Sequence, residues 1–249
     1  MKQTNLIVAK CNDKKKYLLP FGDWHIGGKG CDIEKIKGYI SWIIKKKAWV
    51  IGMGDLFECA TKQSPGASVY EQIIPTEEQK ELIIALLEPI VKKGLLLGLH
   101  DGNHEFRALR ETGINLTKDL CRALRVPYIG YATFGKLKVG NQIYETFSTH
   151  GFSGSKLYQT KMKTCLDLSM SFDAELYLMG HVHELADFAK LKKSIKNNEV
   201  ITRKQHFVLT GHYVKYEGSY AEQRNMPPSK LGSPRIRFSG TKHDIHVSI

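Results

Sequence analysis

Short apolar runs alternate with segments of helical period along most of this chain. Lys16–Phe21 is apolar after its first residue and stops at Gly22-Asp23, which predicts a buried strand. Ile33, Ile36, Ile40, Ile43 and Ile44 recur at helix spacing, so Asp32–Lys46 is predicted to be an amphipathic helix with Asp32 as its N-cap. Ala48–Met53 is the next strand. Thr76-Glu77-Glu78-Gln79 has the Thr-x-x-Gln form of a capping box and opens a long apolar helix to Lys93, which Pro89 should kink or end early. Leu95–Leu99 reads as a buried strand and Asn115–Leu124 as a short helix. Tyr131–Val139 and Gln142–Thr149 form a predicted hairpin around Gly140-Asn141. Ser155–Ser171 is helical, and Glu175–Met179 is a strand. Beyond His183 the texture changes to strands and turns, with Asn197-Asn198 as one turn. The first two thirds therefore read as βαβ units and the last third as an antiparallel β region, together a compact α/β sandwich.

Composition narrows the class. Hydrophobic residues make up 42% of the 249 and charged residues 25%, which excludes a disordered, collagen-like or coiled-coil chain. The longest apolar stretches, Leu82–Leu87 and Leu95–Leu99, fall far short of the ~20 residues of a membrane span. With no secretory pattern in Met1–Lys16, a soluble, cytoplasmic protein is expected. No repeat or linker divides the chain, so a single domain over residues 1–249 is expected. Five cysteines with no C-x-x-C pair give neither a disulfide framework nor a zinc ribbon. The net charge of +12 favours anionic partners, although lysines dispersed along the chain also serve solubility alone.

The candidate chemistry lies where strands stop. Asp23-Trp24-His25 follows the first strand, Gly54-Asp55 the second and Gly102-Asn103-His104-Glu105 the third. His150-Gly151 follows the hairpin, and Gly180-His181-Val182-His183 follows the strand after the long helix. Ligands of open α/β sheets sit at the carboxyl ends of strands, so these five clusters are expected to converge. Carboxylate, imidazole and amide oxygen together make a mixed N/O site suited to Mn, Fe, Zn or Ni. No cysteine sits in any cluster, which argues for an open catalytic site rather than a structural zinc. Taken singly, each cluster is as consistent with a surface turn or a core histidine.

The order D-x-H, G-D, G-N-H-[DE], H-G and G-H-x-H resembles the calcineurin-like metallophosphoesterase superfamily, over about Gly22 to His183. The resemblance implies a four-layer αββα sandwich whose β-rich C-terminal part, residues 184–249, belongs to the same domain. It also implies two divalent transition-metal ions, with Mn²⁺ the first choice and Fe, Zn, Ni or Mg as alternatives. By position, Asp23, His25 and His183 would hold one metal, Asn103, His150 and His181 the other, and Asp55 would bridge them. Two such cations share and acidify a water and clamp both oxygens of an in-line displacement at phosphorus. His104 would be the catalytic histidine, acting as imidazolium on the leaving oxygen, and Glu58 the carboxylate that keeps it charged, with Asp101 and Glu105 as rivals. For Glu105 a structural salt bridge is an equal expectation.

The branch of the superfamily is read from departures. Asp101 stands where the Ser/Thr protein phosphatases have an arginine, and Gly54-Asp55-Leu56-Phe57-Glu58-Cys59-Ala60 lacks the arginine of their G-D-x-x-D-R-G. Asp23-Trp24-His25-Ile26-Gly27 instead resembles the double-strand-break repair exonucleases, and the Ser219–Pro234 segment resembles the tail of small phage-type phosphoesterases. Lys190, Lys192, Lys193, Lys196, Arg203 and Lys204, continued by Arg224, Lys230, Arg235 and Arg237, read either as a phosphate-backbone track or as a solvated hairpin face. Arg107 is a candidate phosphate clamp. Trp24 and Phe106 are candidates for base stacking or for core packing. His100, His206, His212, His243 and His246 belong to no motif. The expected function is hydrolysis of a phosphodiester in nucleic acid, DNA or RNA, or in nucleotides. The alternatives are a phosphomonoesterase on a small molecule or phosphoprotein, and a catalytically silent nucleic-acid-binding module.

Overall fold

The computed structural model describes residues 2, 5–62, 64, 68–223 and 225–249, without the side chains of Lys196 and Tyr220. The first half contains β1 (Leu6–Cys11), β2 (Lys15–Phe21), α1 (Ile33–Lys46), β3 (Trp49–Gly52), α2 (Thr76–Val91) and β4 (Leu96–His100). It continues with α3 (Asn103–Thr112), α4 (Leu116–Leu124), β5 (Tyr128–Gly130), β6 (Ala132–Val139) and β7 (Gln142–Thr149). The remainder is α5 (Tyr158–Ser171), β8 (Leu176–Met179), β9 (Leu185–Lys196), β10 (Glu199–Thr210), α6 (Tyr220–Gln223), β11 (Arg235–Ser239) and β12 (Ile245–Ser248).

Two six-stranded sheets form, in the orders β12-β11-β2-β3-β4-β5 and β1-β6-β7-β8-β10-β9. Alternation along the strands shows how they stack. Leu19 and Val50 join Ile36, Ile43, Ile83 and Leu120 in a core between the first sheet and α1, α2 and α4. Their neighbours Leu18 and Ile51 pack instead against Leu137, Leu176, Leu178 and Val208, which closes the two sheets face to face. On the far side, Tyr177, Met179 and Phe207 of the second sheet pack with Cys165 of α5. The result is the expected four-layer αββα sandwich.

Several local readings meet their physical limits here. Asp32 caps α1, its carboxylate accepting from Lys35 N at 3.0 Å. The capping box at Thr76 does not form: Pro75 is the N-cap and makes no side-chain cap bond. Gln79 is turned to other work, its Oε1 accepting from Glu58 N at 3.1 Å and its Nε2 donating to Ile74 O at 2.8 Å. Pro89 is accommodated inside α2, which runs on to Val91 and is closed by Gly94 at φ 64°, with Leu95 N donating back to Ile90 O at 3.2 Å. The hairpin over Gly140-Asn141 is in the expected register, with Val139 opposite Gln142. The last third is not a separate antiparallel region. β10 adds to β8 in parallel, while β11 crosses over to pair with β2 in the other sheet. Strand pairing over such separations leaves no trace in local periodicity. All five cysteines are free. Among the described residues no helix is long and apolar enough to cross a membrane.

Candidate metal centre

β2, β3, β4, β7 and β8 end at Phe21, Gly52, His100, Thr149 and Met179, each just before one of the five polar clusters. The loops after β2 and β3 are laced together. Asp23 N donates to Gly54 O at 2.9 Å, and Trp24 N and His25 N donate to Asp55 O at 2.9 and 3.1 Å. Ile26 N and Glu58 N continue the ladder to Leu56 O and Ile26 O, both at 2.9 Å. The D-x-H and G-D clusters are thus one unit.

After β4 the chain turns directly into α3, so Asn103 and His104 stand at a helix N-terminus rather than in a loop. His104 N donates to Asp55 Oδ1 at 2.9 Å, a charge-assisted bond aligned with the helix dipole. A Cβ on Gly102 would overlap Asp55 Oδ1, so this close approach requires glycine. Glu105 is buried beneath. Its Oε1 accepts from Leu56 N and Phe57 N at 2.7 and 3.2 Å, and its Oε2 from Asp55 N and Gly102 N at 3.1 and 3.0 Å. It is neither a salt-bridge partner nor the orienter of His104; it is the strut under the Asp55 loop. Asp101 is engaged elsewhere, accepting from the Tyr128 hydroxyl and from Asn115 Nδ2.

Six of the seven residues assigned to metal by sequence fall in two groups, each with its ligating atoms within 4.8 Å of one another: Asp23, His25 and His183; and Asp55, His150 and His181, with Asn103 against the second. His25, Asp55 and His104 make a third such trio between them. In the first group His25 Nε2 lies 3.1 Å from His183 Nε2, and Asp23 Oδ1 lies 3.5 Å from the latter. In the second, Asn103 Oδ1 is 3.0 Å from His150 Nε2 and 2.7 Å from His181 Nδ1. Ligands on one cation with bonds of about 2.1 Å sit about 3–3.4 Å apart, so both groups have the spacing of a ligand shell. Asp55 Oδ2 faces both, at 3.4 Å from His150 Nε2 and 3.9 Å from His25 Nε2. The far ring nitrogens are held as metal-binding histidines require: His25 Nδ1 by Glu58 Oε2 at 3.2 Å, and His150 Nδ1 by Met53 O at 2.7 Å.

Backbone strain marks the same residues. Asp23, His25, Asp55, His181 and His183 all have φ between 48° and 67°. Each such non-glycine residue costs on the order of 1–3 kcal/mol, and such strain collects at functional sites. Electrostatics agree with a cation-binding cluster. Burial works against the charge on Asp55, but His150, His104 and His25 together hold its carboxyl well below the usual range. Against the same penalty, Asp55 raises His150 to about 10.

The residues assigned to catalysis are rearranged. His104 Nδ1 donates to the backbone carbonyl of Glu58 at 2.6 Å, while the Glu58 carboxylate, 3.8 Å away, accepts its hydrogen bond from His25. Burial pushes His104 down to about 4; Asp55 and Glu58 oppose this, and His25 and Arg107 add to it. The imidazole is therefore neutral here, not the expected imidazolium. Arg107, one turn on along α3, donates to His104 Nε2 at 3.0 Å and to Ser64 Oγ at 3.3 Å. Trp24 is fully buried, edge-on to Phe21, and belongs to the core. Phe106 is half-exposed beside Tyr131, 6.3 Å between centroids.

His25, Asp55, Asn103, His181 and His183 line a cleft of about 380 Å³ together with Ser153–Lys156, Tyr216, Met226 and Pro227. Two contacts with the metal-group histidines escape sequence reading. His212, of no motif, stacks on His183. Phe152 lies over His181. On the hairpin, Lys192 and Arg203 reach Asp173 at 3.1 and 3.4 Å, whereas Lys193 and Lys204 are exposed on the opposite face. Arg224 and the Lys196 side chain lie outside the described residues.

No family model and no curated protein matches this chain. Solved structures do. A conserved protein of Streptococcus pneumoniae TIGR4, described as a predicted phosphoesterase, is 13% identical with a TM-score of 0.42, covering 94% of this chain and 88% of its own. A metallophosphoesterase of Sphaerobacter thermophilus is 10% identical with a TM-score of 0.44, over 93% and 86%. Vps29 of Entamoeba histolytica complexed with Zn²⁺ is 12% identical with a TM-score of 0.40, over 93% and 97%. These are distant likenesses, and the functional reading rests on the chain's own geometry.

Proposed function

We propose that this protein is a metal-dependent phosphoester hydrolase acting on phosphodiesters of nucleic acid or nucleotides. The observation that carries the reading is Asp55 Oδ2, which faces two three-residue ligand groups from the position of a bridge. Asp23, His25 and His183 would hold one divalent ion, Asn103, His150 and His181 the other, with Mn²⁺ the first choice. Such a pair supplies charge neutralisation at phosphorus and an acidified water at neutral pH.

The chain's own residues do the rest. Glu58 fixes His25, and the Met53 carbonyl fixes His150, so each ring keeps its other nitrogen for the cation. Arg107 brings a guanidinium to the mouth of the site, and a phosphoryl oxygen competes for its NH2 donor. Once Arg107 turns to the substrate, His104 Nε2 is free to take the proton released by the attacking water and pass it to the leaving oxygen, while Nδ1 stays on the Glu58 carbonyl. The diester preference is supported by the +12 charge and by the exposed Lys193 and Lys204.

The test is hydrolysis of a chromogenic phosphodiester after chelation and after reloading with Mn²⁺. Activity should vanish and return. His104→Ala should keep its metals and lose about 10²–10⁴-fold in turnover, less with a good leaving group such as nitrophenolate. Metal-independent turnover, or none with any phosphoester, overturns the proposal.

A further inference from the structure

Phe152 is 81% exposed, yet its ring is not directed at random. Its plane lies 8° from that of His181, with centroids 6.2 Å apart, so one face of the phenyl ring is set parallel to a ring of the metal cluster. The backbone turn places it there. Phe152 follows His150 by two residues, and Gly151 between them has φ +85°, where a Cβ would press on the Met179 side chain at the end of β8. The turn is therefore tight and available only to glycine. The chain beyond it, Ser153–Ser155, lines the cleft, as do Met226 and Pro227.

A large aromatic ring kept out of the core, with its plane set by a metal-site histidine, has the form of a stacking platform. Base–aromatic stacking tolerates any base because every base presents a π-face. The rest of the site holds the metal-binding groups and the Arg107 guanidinium, so a ligand filling both parts joins a planar heteroaromatic ring to a phosphoester.

We propose that Phe152 is the stacking platform for the nucleobase of a nucleotidyl phosphoester, and so selects nucleotide substrates over simple alkyl esters. This rests on the phosphoesterase reading and goes beyond it in naming what the ester carries. The test uses the full chain loaded with Mn²⁺ and two diesters that share one leaving group: the p-nitrophenyl ester of thymidine 5′-phosphate, and methyl p-nitrophenyl phosphate. In Phe152→Ala, KM for the thymidylyl ester should rise about tenfold relative to KM for the methyl ester, and Phe152→Trp should restore the ratio. A ratio unchanged in Phe152→Ala overturns the platform and leaves the exposed ring as a surface for another macromolecule. Turnover of neither ester by the wild type overturns the phosphoesterase reading itself, and the platform falls with it.

Discussion

His212 lies face to face with His183, the ring centroids 4.8 Å apart and the planes 6° from parallel. His212 is buried; its Nδ1 accepts from Val214 N at 3.3 Å, and its Nε2 has no hydrogen-bond partner among the described residues. Burial, with His183 next to it, holds its pKa well below the usual histidine range, so the ring is neutral. A neutral, flat, immobile ring fixes the plane of His183 and thereby the direction of its Nε2 towards Asp23 and His25. His212→Ala should weaken binding of one metal by about tenfold, the scale of losing an outer support of a ligand. His212→Phe should restore it by keeping the stack. Titration with Mn²⁺, followed by elemental analysis, distinguishes the variants; equal binding in all three would separate His212 from the centre.

Asp55 belongs to the second ligand group and faces His25 of the first at 3.9 Å, whereas Asn103 contacts the second alone. Asp55→Asn should therefore disturb both metals, whereas Asn103→Ala should mainly weaken one. Metal stoichiometry after dialysis reads the difference. Near-wild-type occupancy in both variants would show the assignment to be wrong.

Glu105 accepts four backbone N–H groups under the Asp55 loop. Glu105→Gln turns one oxygen into an amide donor facing backbone donors in a buried site. The expected loss is about 2–4 kcal/mol of stability in urea unfolding, since bonds to a charged group and an unsatisfied buried donor each count for about 1.5–3 and 1–3 kcal/mol. An unchanged midpoint would mean that the loop is held without the strut.

His100 gives stability a pH dependence of known sign. Its Nδ1 donates to Gly130 O at 2.8 Å, and its Nε2 accepts from Ser148 Oγ at 2.9 Å, an arrangement of the neutral ring. Burial lowers its pKa to about 4. Below its unfolded value of 6.5 the unfolded chain binds the proton first, so stability present above pH 6.5 is lost as pH falls towards 4, by up to about 3 kcal/mol. His100→Gln should flatten that part of the wild-type profile in chemical unfolding at stepped pH; parallel profiles would refute it.

On the β9–β10 hairpin, Lys192 is already paired with Asp173, so the exposed Lys193 and Lys204 carry the test of a polynucleotide track. Charge reversal at both should reduce affinity for duplex DNA and lower the slope of log K against log salt by about 0.9 per lost phosphate contact. Hydrolysis of a small chromogenic diester should respond far less. Identical responses of the two substrates would leave the hairpin a solvated face.

The amino-acid sequence by itself determined which side chains gather in the candidate metal centre. Apolar runs ending in Asp, His and Asn are local patterns, and strand ends of an α/β fold face one edge, so Asp23, Asp55, Asn103, His150, His181 and His183 were legible without coordinates. Asp32 as a cap and Gly140-Asn141 as a turn were legible for the same reason: their physics is contained within a few residues. Tertiary structure alone decided the support. Glu105 was misread as a salt-bridge partner because its four donors come from backbone, which has no sequence signature. Gln79 abandoned a capping box for a loop 21 residues away, and Glu58 turned to His25, because a buried donor takes the acceptor that packing brings to it. The sorting of the last third between two sheets, the stack of His212 on His183 and the placement of Phe152 over His181 depend on contacts between elements distant in the chain. Local period and composition carry no record of those contacts; only the closing of the sandwich creates them.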